Sequence, residues 1–177
     1  VLMPHFTFHG FRYLAVEGIE ELKPEMFTAC VMHSDMRKTG DFHCSNEKVN
    51  RLQENISWSL RDNFFDIPSD CPQRDERLGW TGDAQVFSWT AAFNRETALF
   101  FTKWMRDVSA ASSLEKGVPH IVPDIQGTYS SAVWSDAAVV IPWVVYQTYG
   151  DERILEENWK CMHEWVDYIH NHVNENG

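Results

Sequence analysis

Two spacings of apolar residues divide the chain. Before about residue 44, aromatic and β-branched positions crowd together as they do in strands. His5-Phe-Thr-Phe-His-Gly-Phe-Arg-Tyr-Leu-Ala-Val-Glu17 is one such run, with Gly10 as its bend. Phe27–Ser34 is a second, alternating at Phe27, Ala29 and Val31, and Gly40–His43 is a short third. Leu22-Lys-Pro24 reads as the connection between the first two. So few strands cannot cover both faces of a sheet, and the segment reads as the end of a larger antiparallel β-domain.

From Ser45 the spacing becomes helical. Ser45 is a plausible N-cap, and Val49, Leu52, Ile56 and Leu60 then mark one helical face running to about Asn63. A second helix is predicted from about Gly82 to Phe93. A third follows, capped by Asn94, with Ala98, Phe101, Met105 and Val108 as its stripe. A fourth covers roughly Asp136–Tyr149, kinked at Pro142 and ended by Gly150. A fifth runs from about Glu152 to Val173 and buries Ile154, Leu155, Trp159, Met162, Trp165, Val166 and Ile169. Phe64–Trp80 and Ala110–Ser135 are long loops, and the prolines of Gly117-Val-Pro-His-Ile-Val-Pro123 make part of the second one extended. Long loops between helices of a compact domain commonly carry function.

Composition narrows the classes. With 44% hydrophobic and 23% charged residues, the 177-residue chain has enough apolar surface for a core. A net charge of −11 repels phosphate backbones and argues against nucleic-acid binding. No apolar run is long enough to span a bilayer, and no basic amphipathic stretch suits an anionic membrane surface. Eight tryptophans supply either core or flat surfaces for sugar rings. The four cysteines, at 30, 44, 71 and 161, have no zinc spacing and read as free buried thiols, with a 30–44 disulfide as the alternative. Val1 and Gly177 both read as cuts in a longer protein, so the compartment stays open.

The chemistry concentrates in Asp70-Cys-Pro-Gln-Arg-Asp-Glu-Arg-Leu-Gly-Trp-Thr-Gly-Asp83. Four carboxylates (Asp70, Asp75, Glu76 and Asp83) share this loop with Arg74, Arg77 and Trp80. Glycoside cleavage needs one carboxylic acid for the leaving oxygen and a second carboxylate as base or nucleophile. Further carboxylates and an arginine bind hydroxyls through charge-assisted bonds. The same residues also suit a solvated salt-bridge cluster. A calcium loop fits poorly, because its oxygen ligands do not alternate and arginines intrude.

The run from Ser69 to Gln85 closely resembles the signature loop of the bacterial α-L-rhamnosidases of glycoside hydrolase family 78. Phe8-His-Gly-Phe-Arg-Tyr13 is similar to the end of the β-sandwich that precedes their catalytic domain. Gly117–Pro123 and Asp136-Ala-Ala-Val-Val-Ile-Pro-Trp143 are similar to later barrel segments. The resemblance implies a mainly α fold. Residues 1–44 are then the end of a β-sandwich and its linker, and 45–177 the first part, about five helices, of an (α/α)6 barrel. It implies hydrolysis of terminal α-L-rhamnose with inversion, on rhamnose-containing glycosides or polysaccharides, without metal or cofactor.

Position by position, Glu76 matches the general acid. Asp70, Arg74 and Asp83 match residues that hold rhamnose hydroxyls, and Trp80 and Trp134 match aromatic walls. Asp75 is expected to be structural, and Asp136 either to cap its helix, the favoured reading, or to support the site. No residue matches the general base, so the segment alone is expected to be inactive and, with helix faces uncovered, to self-associate. The alternatives are an (α/α)6 glycosidase of other specificity and a non-catalytic carbohydrate-binding segment.

Overall fold

The computed structural model describes residues 2–127 and 129–172. Five helices dominate it: α1 (Glu47–Asn63), α2 (Thr81–Asn94), α3 (Ala98–Ala111), α4 (Ala137–Tyr149) and α5 (Arg153–His172). Val173, the expected end of the last helix, lies outside the described residues. α4 is the hub, packing against α2, α3 and α5. It is apolar nearly all round, as a helix enclosed by neighbours must be, and it runs through the buried Pro142. Gly150 ends it in the left-handed conformation at φ 66°.

The core lies between these helices and the loops at one end. Phe101, Trp104, Met105 and Val108 of α3 are fully buried, together with Ile141 and Val145 of α4 and Ile154 of α5. Phe64 stacks on Phe100 with ring centroids 4.6 Å apart. The stripe expected on α3 is therefore the buried one, apart from the half-buried Ala98 at its start. The other two amphipathic faces are less covered than their sequence suggests. On α1 only Leu60 is buried, while Val49 and Leu52 are exposed. On α5 Ile154, Asn158, Cys161 and Trp165 are buried, whereas Trp159 and Val166 are exposed. A stripe marks a surface able to be covered; burial also needs a neighbour, and α1 and α5 have one on only part of theirs.

The caps also differ. Asn46, not Ser45, caps α1 by accepting from the Lys48 N–H at 3.0 Å. Asn94 stays inside α2, bonded back to Thr90 O at 2.7 Å. The start of α3 is served instead by the Tyr149 hydroxyl of α4, which accepts from the Thr97 N–H at 2.9 Å.

Residues 2–46 contain a short 3-10 helix, Pro24–Met26, and none of the three expected strands. Among the described residues the only ladder joins β1 (Phe64–Phe65) to β2 (Ile67–Pro68), around Asp66 at φ 66°. The physical reason is partnership: backbone N–H and C=O groups form a strand only against another strand. Here Phe6, Phe11, Tyr13 and Leu14 lie exposed. The cysteines are free, with Cys71 and Cys161 buried but Cys30 exposed. No described helix is long and apolar enough to cross a membrane.

Connections are short after α2 and α4 and long after α1 and α3. The two long loops meet at one end of the helices. The Thr81 N–H donates to His120 O at 2.8 Å, the Val122 N–H to Gly79 O at 2.9 Å, and Trp80 and Ile121 form a β-bridge.

Candidate active site

The loop from Ser69 to Trp80 folds back on itself before α2. The Asp70 N–H donates to Leu78 O at 3.1 Å, and Asp70 Oδ1 accepts from the Leu78 N–H at 3.0 Å. This reciprocal pair closes the loop and tucks the Asp70 carboxylate inward, leaving only 7% of its side chain exposed. The tip turns at Arg77, which has φ 50°. Arg77 then leaves the site: its guanidinium sits over the Phe8 ring and donates to Phe8 O. Gly10 crosses the same loop so closely that an added Cβ would stand 2.6 Å from Pro72 O. The first segment therefore braces the acidic loop.

Inside the loop, Glu76 accepts on both oxygens. Arg74 Nε donates to Oε2 at 2.7 Å, and Trp80 Nε1 donates to Oε1 at 3.0 Å. Arg74 Nη2 also reaches Asp70 Oδ2 at 3.4 Å. Asp83 follows in the first turn of α2. Its carboxyl is held above the usual aspartate range, first by loss of hydration and then by the charges of Asp70 and Glu76, against a lowering bond from its own N–H. Three carboxylates thus share one field, with Arg74 as the cation that ties two of them.

Asp70, Cys71 and Glu76 also bring potential metal-ligand atoms within 4.8 Å of one another. Their chemistry fits a cation poorly. Burial pushes the Cys71 thiol up, so it stays protonated. The Arg74 guanidinium already occupies the cationic position between the carboxylates.

Beside this cluster an open groove of about 490 Å³ is lined by Asp70, Asp83, Phe64, Phe87 and Trp134, among others. The structure therefore brings Asp70, Asp83 and Trp134 onto one groove and joins Glu76, Arg74 and Trp80 to it through Asp70. Asp75 is exposed and outside these bonds. A groove of similar size between residues 34–37 and α3 carries mixed charges that pair among themselves, Arg37 with Glu96 and Lys103 with Asp66.

Trp134 rides on a loop hung by serines. Ser130 Oγ donates to Val118 O at 2.8 Å, Ser135 Oγ to Val118 O at 2.6 Å, and Ser131 Oγ bonds His120 Nε2 at 2.8 Å. Burial depresses His120, which favours its neutral ring, centred 5.6 Å from that of Trp134. Asp136 occupies the N-cap position of α4, but its side chain makes no cap bond. It accepts instead from the Val133 N–H at 2.8 Å and Trp165 Nε1 at 3.0 Å, fixing the loop next to Trp134. Of the two roles expected for it, the favoured cap is not made and the supporting one is what its bonds serve. Gln85 completes the support by donating to Val133 O. Nothing local in the sequence marks His120, Ser131 or Gln85, because their partners are distant along the chain.

Gly82 is the floor beneath Trp134. A Cβ there would stand 2.8 Å from the indole Cδ1. Trp134 is 39% exposed and free to turn away, so Gly82→Ala is expected to leave the melting temperature nearly unchanged while displacing the aromatic wall. Affinity for a ligand stacked on that wall then falls about tenfold, for ~1.4 kcal/mol of lost stacking. An unchanged affinity would remove Trp134 from the groove.

The model of the bacterial α-L-rhamnosidase six-hairpin glycosidase domain matches residues 37–177, and that of the family's concanavalin-like domain matches residues 1–33. An α-L-rhamnosidase of Formosa agariphila is 48% identical over 169 residues, covering 93% of this chain and 18% of its own length. One of Streptomyces avermitilis is 42% identical and is covered over 17% of its length. The chain thus spans less than a fifth of these relatives. The structure of a Streptomyces avermitilis α-L-rhamnosidase complexed with L-rhamnose superposes with a TM-score of 0.78 at 38% identity, over 80% of this chain and 14% of that one. The native Aspergillus terreus enzyme gives 0.72 at 47% identity, over 76% and 16%. On sequence and structure alike, this chain belongs to the bacterial α-L-rhamnosidase family of six-hairpin glycosidases.

Proposed function

We propose that the protein containing these residues releases terminal α-L-rhamnose from rhamnosides with inversion, and that this segment supplies the acid and much of the sugar cradle. The observation that carries the reading is the half-buried Glu76, bonded by Arg74 and Trp80 beside a groove with two further carboxylates and an aromatic face. Asp70, Arg74 and Asp83 hold ring hydroxyls by charge-assisted bonds, and Trp80 and Trp134 cover the apolar C–H surface of the sugar. Glu76 carries a proton to the glycosidic oxygen as the bond to the anomeric carbon breaks. A carboxylate outside residues 1–177 takes a proton from water attacking the opposite face, about 6.5–9.5 Å away.

Residues 45–177 form the first part of the (α/α)6 barrel, and residues 1–44 the end of a β-sandwich with its linker. The separate matches over 1–33 and 37–177 support this division. The strand-like run of residues 5–17 then finds its ladder partners in the rest of that sandwich.

The test is a panel of aryl glycosides, with the product followed by NMR from the first turnover. The full-length protein is expected to cleave only the α-L-rhamnoside and to release β-L-rhamnose first. Residues 1–177 alone are expected to release none. Preference for another sugar, or first release of the α-anomer, would refute the reading.

A further inference from the structure

Glu76 is held by two donors of unlike character. Arg74 lies on the loop, has 59% of its side chain exposed, and divides its guanidinium between Glu76 and Asp70. Such a donor follows whichever anion or hydroxyl is nearest. Trp80 is the opposite case. It is the N-cap residue of α2, and its carbonyl accepts from the Ala84 N–H at 3.1 Å. Its backbone bridges to Ile121. Gly79 before it is bonded to Val122, and Thr81 after it to His120. Three successive residues are thus fastened to the α3–α4 loop. From that fixed backbone the half-buried indole has only two torsions, and its Nε1 donates to Glu76 Oε1 at 3.0 Å.

We propose that Trp80 is a positioning residue for the acid: its indole N–H fixes one Glu76 oxygen, so that the other, freed when Arg74 turns to the bound sugar, presents the proton to the leaving oxygen. This rests on the rhamnoside reading above and adds to Trp80 a role distinct from that of a wall. The balance is simple. The proton travels from Glu76 to the glycosidic oxygen, whose bond electrons leave with the aglycone, while Trp80 keeps its own N–H throughout. The indole N–H is a donor only, so it cannot exchange roles with the acid.

A wall and a positioning group respond differently to substitution. Losing a wall weakens every rhamnoside alike and appears in KM. Losing a positioning bond slows only substrates whose leaving group needs the proton, and a misplacement of roughly 1 Å reduces rate by about 10²-fold.

The experiment replaces Trp80 in the full-length protein in two ways: Trp80→Phe, and Trp80→β-(3-benzothienyl)alanine, which keeps the bicyclic plane but has no N–H. Each variant is assayed on an alkyl rhamnoside and on a dinitrophenyl rhamnoside, whose leaving group departs without protonation. The expected result for the benzothienyl variant is a kcat about 10²-fold lower on the alkyl substrate, less than about tenfold lower on the dinitrophenyl one, and little change in KM. Equal losses on both substrates, a change confined to KM, or wild-type turnover would overturn the proposal. Trp80→Phe is expected to show the same leaving-group dependence with an added rise in KM. If the unmodified protein cleaves neither rhamnoside, the underlying reading fails first. If it cleaves both, the fate of the benzothienyl variant judges Trp80 alone.

Discussion

Glu76→Gln in the full-length protein is expected to lower turnover of a rhamnoside with a poor leaving group by about 10²–10⁴-fold, the usual contribution of a positioned general acid. Glutamine has nearly the size of glutamate but has no proton to transfer to an ether oxygen at neutral pH. It also fits the two donors badly. Its single carbonyl can accept from Arg74 Nε or from Trp80 Nε1, and its amide then faces the remaining N–H. Since Glu76 is 31% exposed, solvent relieves that clash and the melting temperature is expected to hold. Activity and stability thereby separate. A variant that turns over alkyl rhamnosides within about tenfold of wild type would show that another group delivers the proton.

Gly79→Ala is expected to do the reverse, removing the fold that holds the site. A Cβ at Gly79 would overlap Val122 O, and backbone lines both sides of the contact. No rotamer relieves it; the two loops must separate. The same Val122 O accepts from Trp104 Nε1 at 3.2 Å, deep in the core, and Val122 itself is fully buried. Separation therefore strands several buried polar groups, each worth about 1–3 kcal/mol when left unpaired. The expected destabilisation is about 4 kcal/mol, or a fall of roughly 10 °C in melting temperature for a chain of this size. Differential scanning calorimetry decides it: an unchanged transition would mean that the loops are not locked at this point.

Much of this was legible along the chain and some was not. The stripe of α3, the glycine stop of α4 and the existence of five helices follow from spacing that the backbone imposes locally. The acidic loop was legible as a cluster, because Asp70, Arg74, Glu76, Trp80 and Asp83 lie within one turn-rich segment, but their types suit a salt-bridge cluster as well as a sugar, and the resemblance alone separated the two. What was hidden depends on partners far away in sequence. Asp136 has the residue type of a helix cap, yet Trp165 and Val133 draw its carboxylate elsewhere. Tyr149 serves the start of α3 from a different helix. Exposure of Trp159 and Leu52 could not be read either, since periodicity describes a face and not what lies against it. The strand-like run near the start has the composition of a sheet, but among the described residues no strand pairs with it.

The serine-hung loop that carries Trp134 has a consequence for how such a pocket changes over time. On the side of Val118 and His120 its attachments are hydroxyl bonds to the backbone of the neighbouring segment and to one imidazole, made by Ser130, Ser131 and Ser135. Just upstream, Gly127 is open enough that an added Cβ meets nothing. Insertions or deletions there alter the reach of the loop without entering the core. Glu76, by contrast, is tied to the junction of the two loops through Trp80, whose backbone bridges to Ile121. Small edits upstream of the serines can therefore shift Trp134 along the groove, while Glu76 keeps its bonds to Arg74 and Trp80.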